Sequence, residues 1–264
     1  MTRQLDNNIK NNLIDTLSDI WVMSQRNMLR YIRLPQLLLF NVLLNVVLLL
    51  LFNYVFGGAI FTGGIEYIQY FVPGFMVQTV VFGSTQTSIG IAQDLSKGLI
   101  DRFRSLPMSR LALFAGRVIS DAVRYIILIA IMIAVGSLMG FRFENDFAPV
   151  MGGVALIVLF GIGLTWIGVF IGISVRDVEA AEVAGFAWVF PFVFASSIFV
   201  PIETMPSWLQ VFAEVNPVTP MVDTMRALSS GGGISESLWK ILVWDGAILL
   251  VFLSLSLYKY KRLT

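Results

Sequence analysis

Three groups of residues hold the polar chemistry of this sequence. The first is Asp94, Lys97, Asp101, Arg102 and Arg104, set in one short stretch that closes on Pro107. Leu95, Leu99, Phe103 and Leu106 run through it at i, i+4, i+8 and i+11, the spacing of a single helical stripe. Charges of both signs around an apolar stripe suit protein recognition, because the stripe supplies contact and the charges fix orientation. A basic loop that only anchors topology beside anionic lipid accounts for the arginines but not for the stripe and the two carboxylates. The second group is uncharged. Asn41 and Asn45 share one face of an apolar run, and Gln78, Thr79, Ser84, Thr85, Gln86, Thr87 and Ser88 lie in the next run. Such groups either hydrogen-bond between helices or line a cavity that receives an amphipathic molecule. The third group, Arg117, Asp121 and Arg124, has i, i+4, i+7 spacing, which allows mutual pairing along one helix face.

Several chemistries are excluded at once. The chain has no histidine and no cysteine, so imidazole acid–base catalysis, thiol nucleophiles, disulfides and the usual zinc sites have no residues to use. No metal site is expected. G-x-x-x-x-G-K-[ST] does not occur, so there is no P-loop, and neither H-E-x-x-H nor G-x-S-x-G is present to serve an intramembrane hydrolase.

The elements that must position these groups follow from composition. Of 264 residues, 57% are hydrophobic and 13% charged, against about 45–50% and 25% in soluble domains, which points to lipid as the solvent. Six stretches, near 37–56, 68–92, 113–138, 150–173, 183–200 and 238–258, are long and continuously apolar enough to span as helices. All but Arg142, Arg226 and Lys240 of the 18 Lys and Arg residues fall on one side of this plan. The positive-inside rule makes that side cytoplasmic and places both termini there. Residues 1–36 contain no signal-peptide h-region, so the first hydrophobic segment is expected to remain as a span.

Leu13, Leu17, Ile20, Ser24 and Met28 recur at helical spacing before the first span, with Asp15, Asp19, Arg26, Arg30 and Arg33 around the rest of the circumference. This reads as an amphipathic helix in the cytoplasmic interface, or as an ordinary helical cap packed on the bundle. Pro201, Pro206, Pro217 and Pro220 break the stretch 201–237, and Gly231–Gly232–Gly233 stops it. Two short, outward-facing, non-spanning helices are expected there, with Thr219–Pro220 starting the second. Gly168 and Gly172 have the spacing for close helix contact. Asp245, with Lys240 nearer the surface, reads as snorkelling or a structural pair. The expected fold is thus an all-α membrane protein of two parts: a cytoplasmic amphipathic segment 1–36 and a six-helix transmembrane domain 37–264.

Two motifs carry a family resemblance. Gly98–Leu99–Ile100–Asp101–Arg102–Phe103–Arg104–Ser105–Leu106–Pro107–Met108–Ser109–Arg110 closely resembles the cytoplasmic loop of type 2 ABC-transporter permeases, specifically the daunorubicin-resistance-like drug and lipid exporters. Asn216–Pro217–Val218–Thr219–Pro220, followed by Asp223 and Met225–Arg226, resembles a second stretch of the same family. The resemblance implies that the first loop is a coupling helix inserting into an ATPase subunit, which implicates Asp94, Lys97, Asp101, Arg102, Arg104 and Pro107. Relatives often have glutamate where this chain has Asp94. Arg176 and Asp177 would make a second, smaller contact, or simply belong to a solvated loop. No cofactor is expected on this chain, with ATP and Mg on the partner ATPase. A second permease copy and membrane lipid are the other implied partners, and no nucleic acid is expected. The implied setting is a bacterial or archaeal plasma membrane. The implied function is export of an amphipathic drug, lipid or glycolipid, with Asn41, Asn45, Gln78 and Thr85 along the substrate path. The same architecture also serves polysaccharide export. A self-contained secondary transporter or channel belongs to a different class, and the former would call for an ionisable residue at mid-membrane and an internal repeat.

Overall fold

The computed structural model describes residues 2–33, 35–99, 110–175, 177–233 and 235–262. Among these the regular structure is helical: α1 (Thr2–Arg33), α2 (Pro35–Leu51), α3 (Tyr67–Ser96), α4 (Arg110–Leu138), α5 (Phe147–Ser174), α6 (Val178–Phe194), α7 (Ser207–Val215), α8 (Val218–Ser230) and α9 (Ser235–Arg262). One π-turn, Phe52–Phe56, prolongs α2. Four stretches are long and apolar enough to cross a membrane: Leu39–Phe56, Ala112–Leu138, Phe147–Ser174 and Glu236–Arg262.

α3 has the length, at 30 residues, but interrupts its apolar sequence with glutamines, threonines and serines. Its neighbours explain how it can. It packs against α4, α5, α6 and α8 and is buried over most of its length. Its polar groups therefore meet other helices. Ser88 Oγ donates to the Gly168 carbonyl at 3.1 Å, and Thr87 Oγ1 to Asp121 at 2.7 Å. α5 reaches α3 through small residues: a Cβ at Gly168 would collide with the Ser84 carbonyl, and one at Gly172 would lie 2.7 Å from that of Ser88. Gly83 and Gly161 make room for Tyr125, which is fully buried with its hydroxyl 3.0 Å from Thr165 Oγ1.

The larger apolar cluster joins α2, α3, α4, α5, α6, α8 and α9 through the bundle, and a smaller one closes one end. At one end, Met23, Ile91, Phe114, Ile173 and Tyr260 bring together α1, the end of α3, the start of α4 and the ends of α5 and α9. The basic segments before α2 and at the end of α9 thus share one end. α1 is packed along α4 there, with Met23, Ser24 and Asn27 buried and Leu17 and Trp21 exposed, so of the expected stripe Ser24 is buried and Leu17 is not. At the other end, Glu144 N–H donates to the Ser229 carbonyl at 2.9 Å and Asn145 Nδ2 to that of Leu228 at 3.0 Å, tying the α4–α5 connection to α8.

The broken stretch forms two short helices. α8 starts at Val218, one residue before the Thr219–Pro220 start, because Asn216 Oδ1 accepts from Val218 N–H at 3.0 Å. It ends at Gly231, whose φ of 80° lets Gly232 N–H reach the Ala227 carbonyl at 2.9 Å. α6 covers Val178–Phe194 where a span at 183–200 was expected. Asn216 Nδ2 binds the carbonyls of Phe192 and Ala195, each at 2.7 Å, and so satisfies the end of α6 six residues early.

Candidate functional site

α2 stands apart from the bundle. It touches α1, α3 and α4 lightly, and Leu39, Phe40, Leu43, Leu44 and Val47 are exposed. Between it and α3 lie two cavities of about 360 Å³ and 320 Å³ that share Asn41, Leu44, Gln86 and Arg124 and so form one cleft.

The larger cavity has two unlike walls. One is amide and hydroxyl: Asn41, Asn45, Gln78, Thr79 and Gln86. Asn45 Nδ2 donates to the Asn41 carbonyl at 2.8 Å, and Thr79 Oγ1 lies 3.3 Å from Asn45 Oδ1. Gln78 Oε1 is buried without a partner. The other wall is a run of phenylalanines. Phe82 meets Phe186 and Phe190 at 6.2 and 5.7 Å between ring centres, Phe190 meets Phe194 at 5.7 Å, and Phe194 meets Phe199 at 5.1 Å. Phe186, Phe190 and Phe194 recur every four residues on α6, a sequence signal that would have found this wall. Thr85 is elsewhere: it is buried against Gly185, and its hydroxyl has no partner.

Toward the basic end, the smaller cavity is floored by the α4 charges. Arg117 and Arg124 line it, and both pair with Asp121 at 3.2 Å. Tyr31 and Thr87 donate further hydrogen bonds to Asp121, while the guanidinia bind the carbonyls of Gln86 and Gly83 at 3.1 and 2.9 Å. The spacing allowed the pairing. What it did not reveal is that both arginines face the cleft.

The residues implicated in coupling separate into three sets. Asp101, Arg102, Arg104, Pro107 and Arg176 lie outside the described residues. Lys97 is exposed where α3 ends, next to Gly98 at φ 62°. Asp94 is buried and pairs with Arg26 of α1 at 3.0 Å, and Asp177 caps α6 by accepting from Ala180 N–H at 2.6 Å. The second motif ties the opposite end together: Arg226 donates to the carbonyls of Tyr70, Ser197 and Ile198, stacks 3.6 Å from the Tyr70 ring centre and pairs with Asp223.

The profile of the ABC-2 type transporter family matches residues 18–229, which is most of the chain. The chain belongs to this family. It is 32% identical over 247 residues to the daunorubicin resistance ABC transporter permease protein DrrB1 of Streptomyces coeruleorubidus, covering 94% of this chain and 86% of that one. It is 25% identical over 180 residues to the probable doxorubicin resistance ABC transporter permease protein DrrC of Mycobacterium tuberculosis, covering 68% and 65%. The probable multidrug ABC transporter permease YbhR of Escherichia coli is 24% identical over 188 residues, 68% of this chain and 50% of that one. As an ABC-2 permease the chain is the membrane subunit of an ABC exporter. No cluster that would hold a metal occurs among the described residues.

Proposed function

We propose that this permease carries an amphipathic molecule, a drug, lipid or glycolipid, out of the cytoplasm through the cleft beside α2, driven by a separate ATPase subunit. The observation that carries this reading is the pairing of a phenylalanine wall with an amide wall in one cavity of about 360 Å³. A molecule with an apolar body and a polar end satisfies both walls at once.

In this reading α2, α3, α4, α5, α6 and α9 all cross the membrane, with both termini, α1 and the 93–112 loop on the cytoplasmic side of a bacterial or archaeal plasma membrane. The gathering of the basic segments at one end of the bundle supports it. Residues 1–36 form an interfacial segment whose exposed Leu17, Trp21 and Val22 suit the headgroup region, and 37–264 form the transmembrane domain. α7 exposes Trp208, Val211 and Val215 and rests in the outer interface. Asp101, Arg102, Arg104 and Pro107 dock the ATPase, helped by Lys97, Arg176 and Asp177. The sparsely packed α2 leaves a face for a second permease copy, completing a homodimer. ATP and Mg act on the partner subunit alone, and rigid-body motion of the two membrane halves moves the cargo.

Reconstitution with the ATPase subunit tests this. ATP-dependent transport of a fluorescent amphipath should fall when Gln78→Leu and Phe190→Ala are introduced. Unchanged transport in both variants would remove the cleft from the path.

A further inference from the structure

The floor of the cleft has a feature that a general amphipath site does not need. Arg117 and Arg124 are its charged lining residues, and none of the lining residues is acidic. Their counter-ion, Asp121, is fully buried behind them and is already engaged by both arginines and by Tyr31 and Thr87. One carboxylate therefore balances two guanidinia. Arg26 lies at the same end and is paired with Asp94. Arg124 occupies the junction of the two cavities and is only 5% exposed. Two guanidinia that line a cavity, share one carboxylate and are held away from bulk water form an anion-binding site in waiting.

Resting on the exporter reading, we propose that Arg124, seconded by Arg117, selects cargo with an anionic headgroup, phosphate or carboxylate, whose apolar body lies along the phenylalanine wall. The geometry gives the molecule an orientation. The head sits between Asn41, Gln86 and Arg124, where the cavities join, and the tail extends toward Phe190 and Phe194. The exposed Phe40 and Leu44 at the edge of the cleft allow a lipid-dissolved molecule to enter from the side. Cationic amphipaths are disfavoured by the same two arginines.

The test is retention of added lipid by the full-length chain in neutral detergent, read by native mass spectrometry. The probes are phosphatidic acid, phosphatidylcholine of the same acyl chains, a cationic lipid of the same chains, and glycerol phosphate. Wild type should retain phosphatidic acid over phosphatidylcholine by about tenfold, the worth of one charge-assisted hydrogen bond. Arg124→Gln should abolish that preference and Arg124→Lys should keep most of it. Equal retention of the lipids by wild type, or an unchanged preference in Arg124→Gln, would overturn the proposal. Glycerol phosphate binding as tightly as the lipid would overturn the amphipath assignment. Should Arg124→Gln not accumulate, the wild-type ranking of anionic over cationic lipid decides alone. Because no ATPase is present, a negative result here is separable from failure of the exporter reading, which ATPase co-purification tests.

Discussion

Arg26 of α1 and Asp94 in the last turn of α3 form an ion pair at 3.0 Å, with the carboxylate side chain 11% exposed. The pair ties α1 to α3 immediately before the loop that resembles a coupling helix, so α1 braces the segment that would receive force from the ATPase. Arg26→Asp should lower ATP-driven transport about fivefold, the value of a partly exposed pair, and Arg26→Asp with Asp94→Arg should recover most of it. Loss of ATPase co-purification in the swapped protein would mean that Asp94 touches the partner directly.

The contact of α5 with α3 leaves no room for side chains at its glycines. Gly168→Ala places a methyl against the Ser84 carbonyl, and the backbones must separate. The expected destabilisation is about 1–3 kcal/mol, read as a lower midpoint of thermal unfolding in detergent. Gly152→Ala, whose added methyl would meet nothing within 4 Å, should leave the midpoint unchanged.

Asp245 is buried in α9 against Gly163, and its Oδ1 has no partner. An unpaired buried carboxylate weakens a fold, so Asp245→Asn should unfold at the same temperature as wild type or higher, with transport retained. Transport lost in a stable Asp245→Asn protein would instead make Asp245 a proton carrier, in line with a secondary transporter.

Arg226 holds three carbonyls, those of Ser197 and Ile198 in the turn after α6 and that of Tyr70 in the first turn of α3. Arg226→Lys keeps the charge but not the planar fork or the stacking on Tyr70. It should destabilise the protein by about 2 kcal/mol, since charge-assisted bonds are worth more than neutral ones. Protease sensitivity between α6 and α8 should rise, and a wild-type cleavage pattern would remove this role.

Which parts of this molecule were legible in the sequence depended on how local the cause was. The four prolines and Gly231 act on their own backbone, and they announced α7 and α8. The i, i+4, i+7 spacing of Arg117, Asp121 and Arg124 likewise gave their pairing. The end of α6 was not legible, because Asn216, twenty-odd residues downstream, supplies the donors that end it. α3 illustrates the same limit. Its glutamines and threonines read equally as helix glue or cavity lining, and the structure uses them for both: Thr87 and Ser88 bond neighbouring helices, while Gln78 and Gln86 face the cleft. Asp177 caps α6 through the N–H three residues on, a local bond, whereas the partner of Asp94 is Arg26, 68 residues earlier, which spacing could not name.

A separate ATPase is proposed to move this permease through the loop that holds Arg102. The most direct measurement is co-purification from detergent of the wild-type chain and Arg102→Glu, each co-expressed with the ATPase subunits encoded in the same genome. One ATPase should copurify with wild type and be lost in Arg102→Glu, while the permease itself accumulates normally. Recovery of the chain alone, with every ATPase expressed and folded, would contradict it.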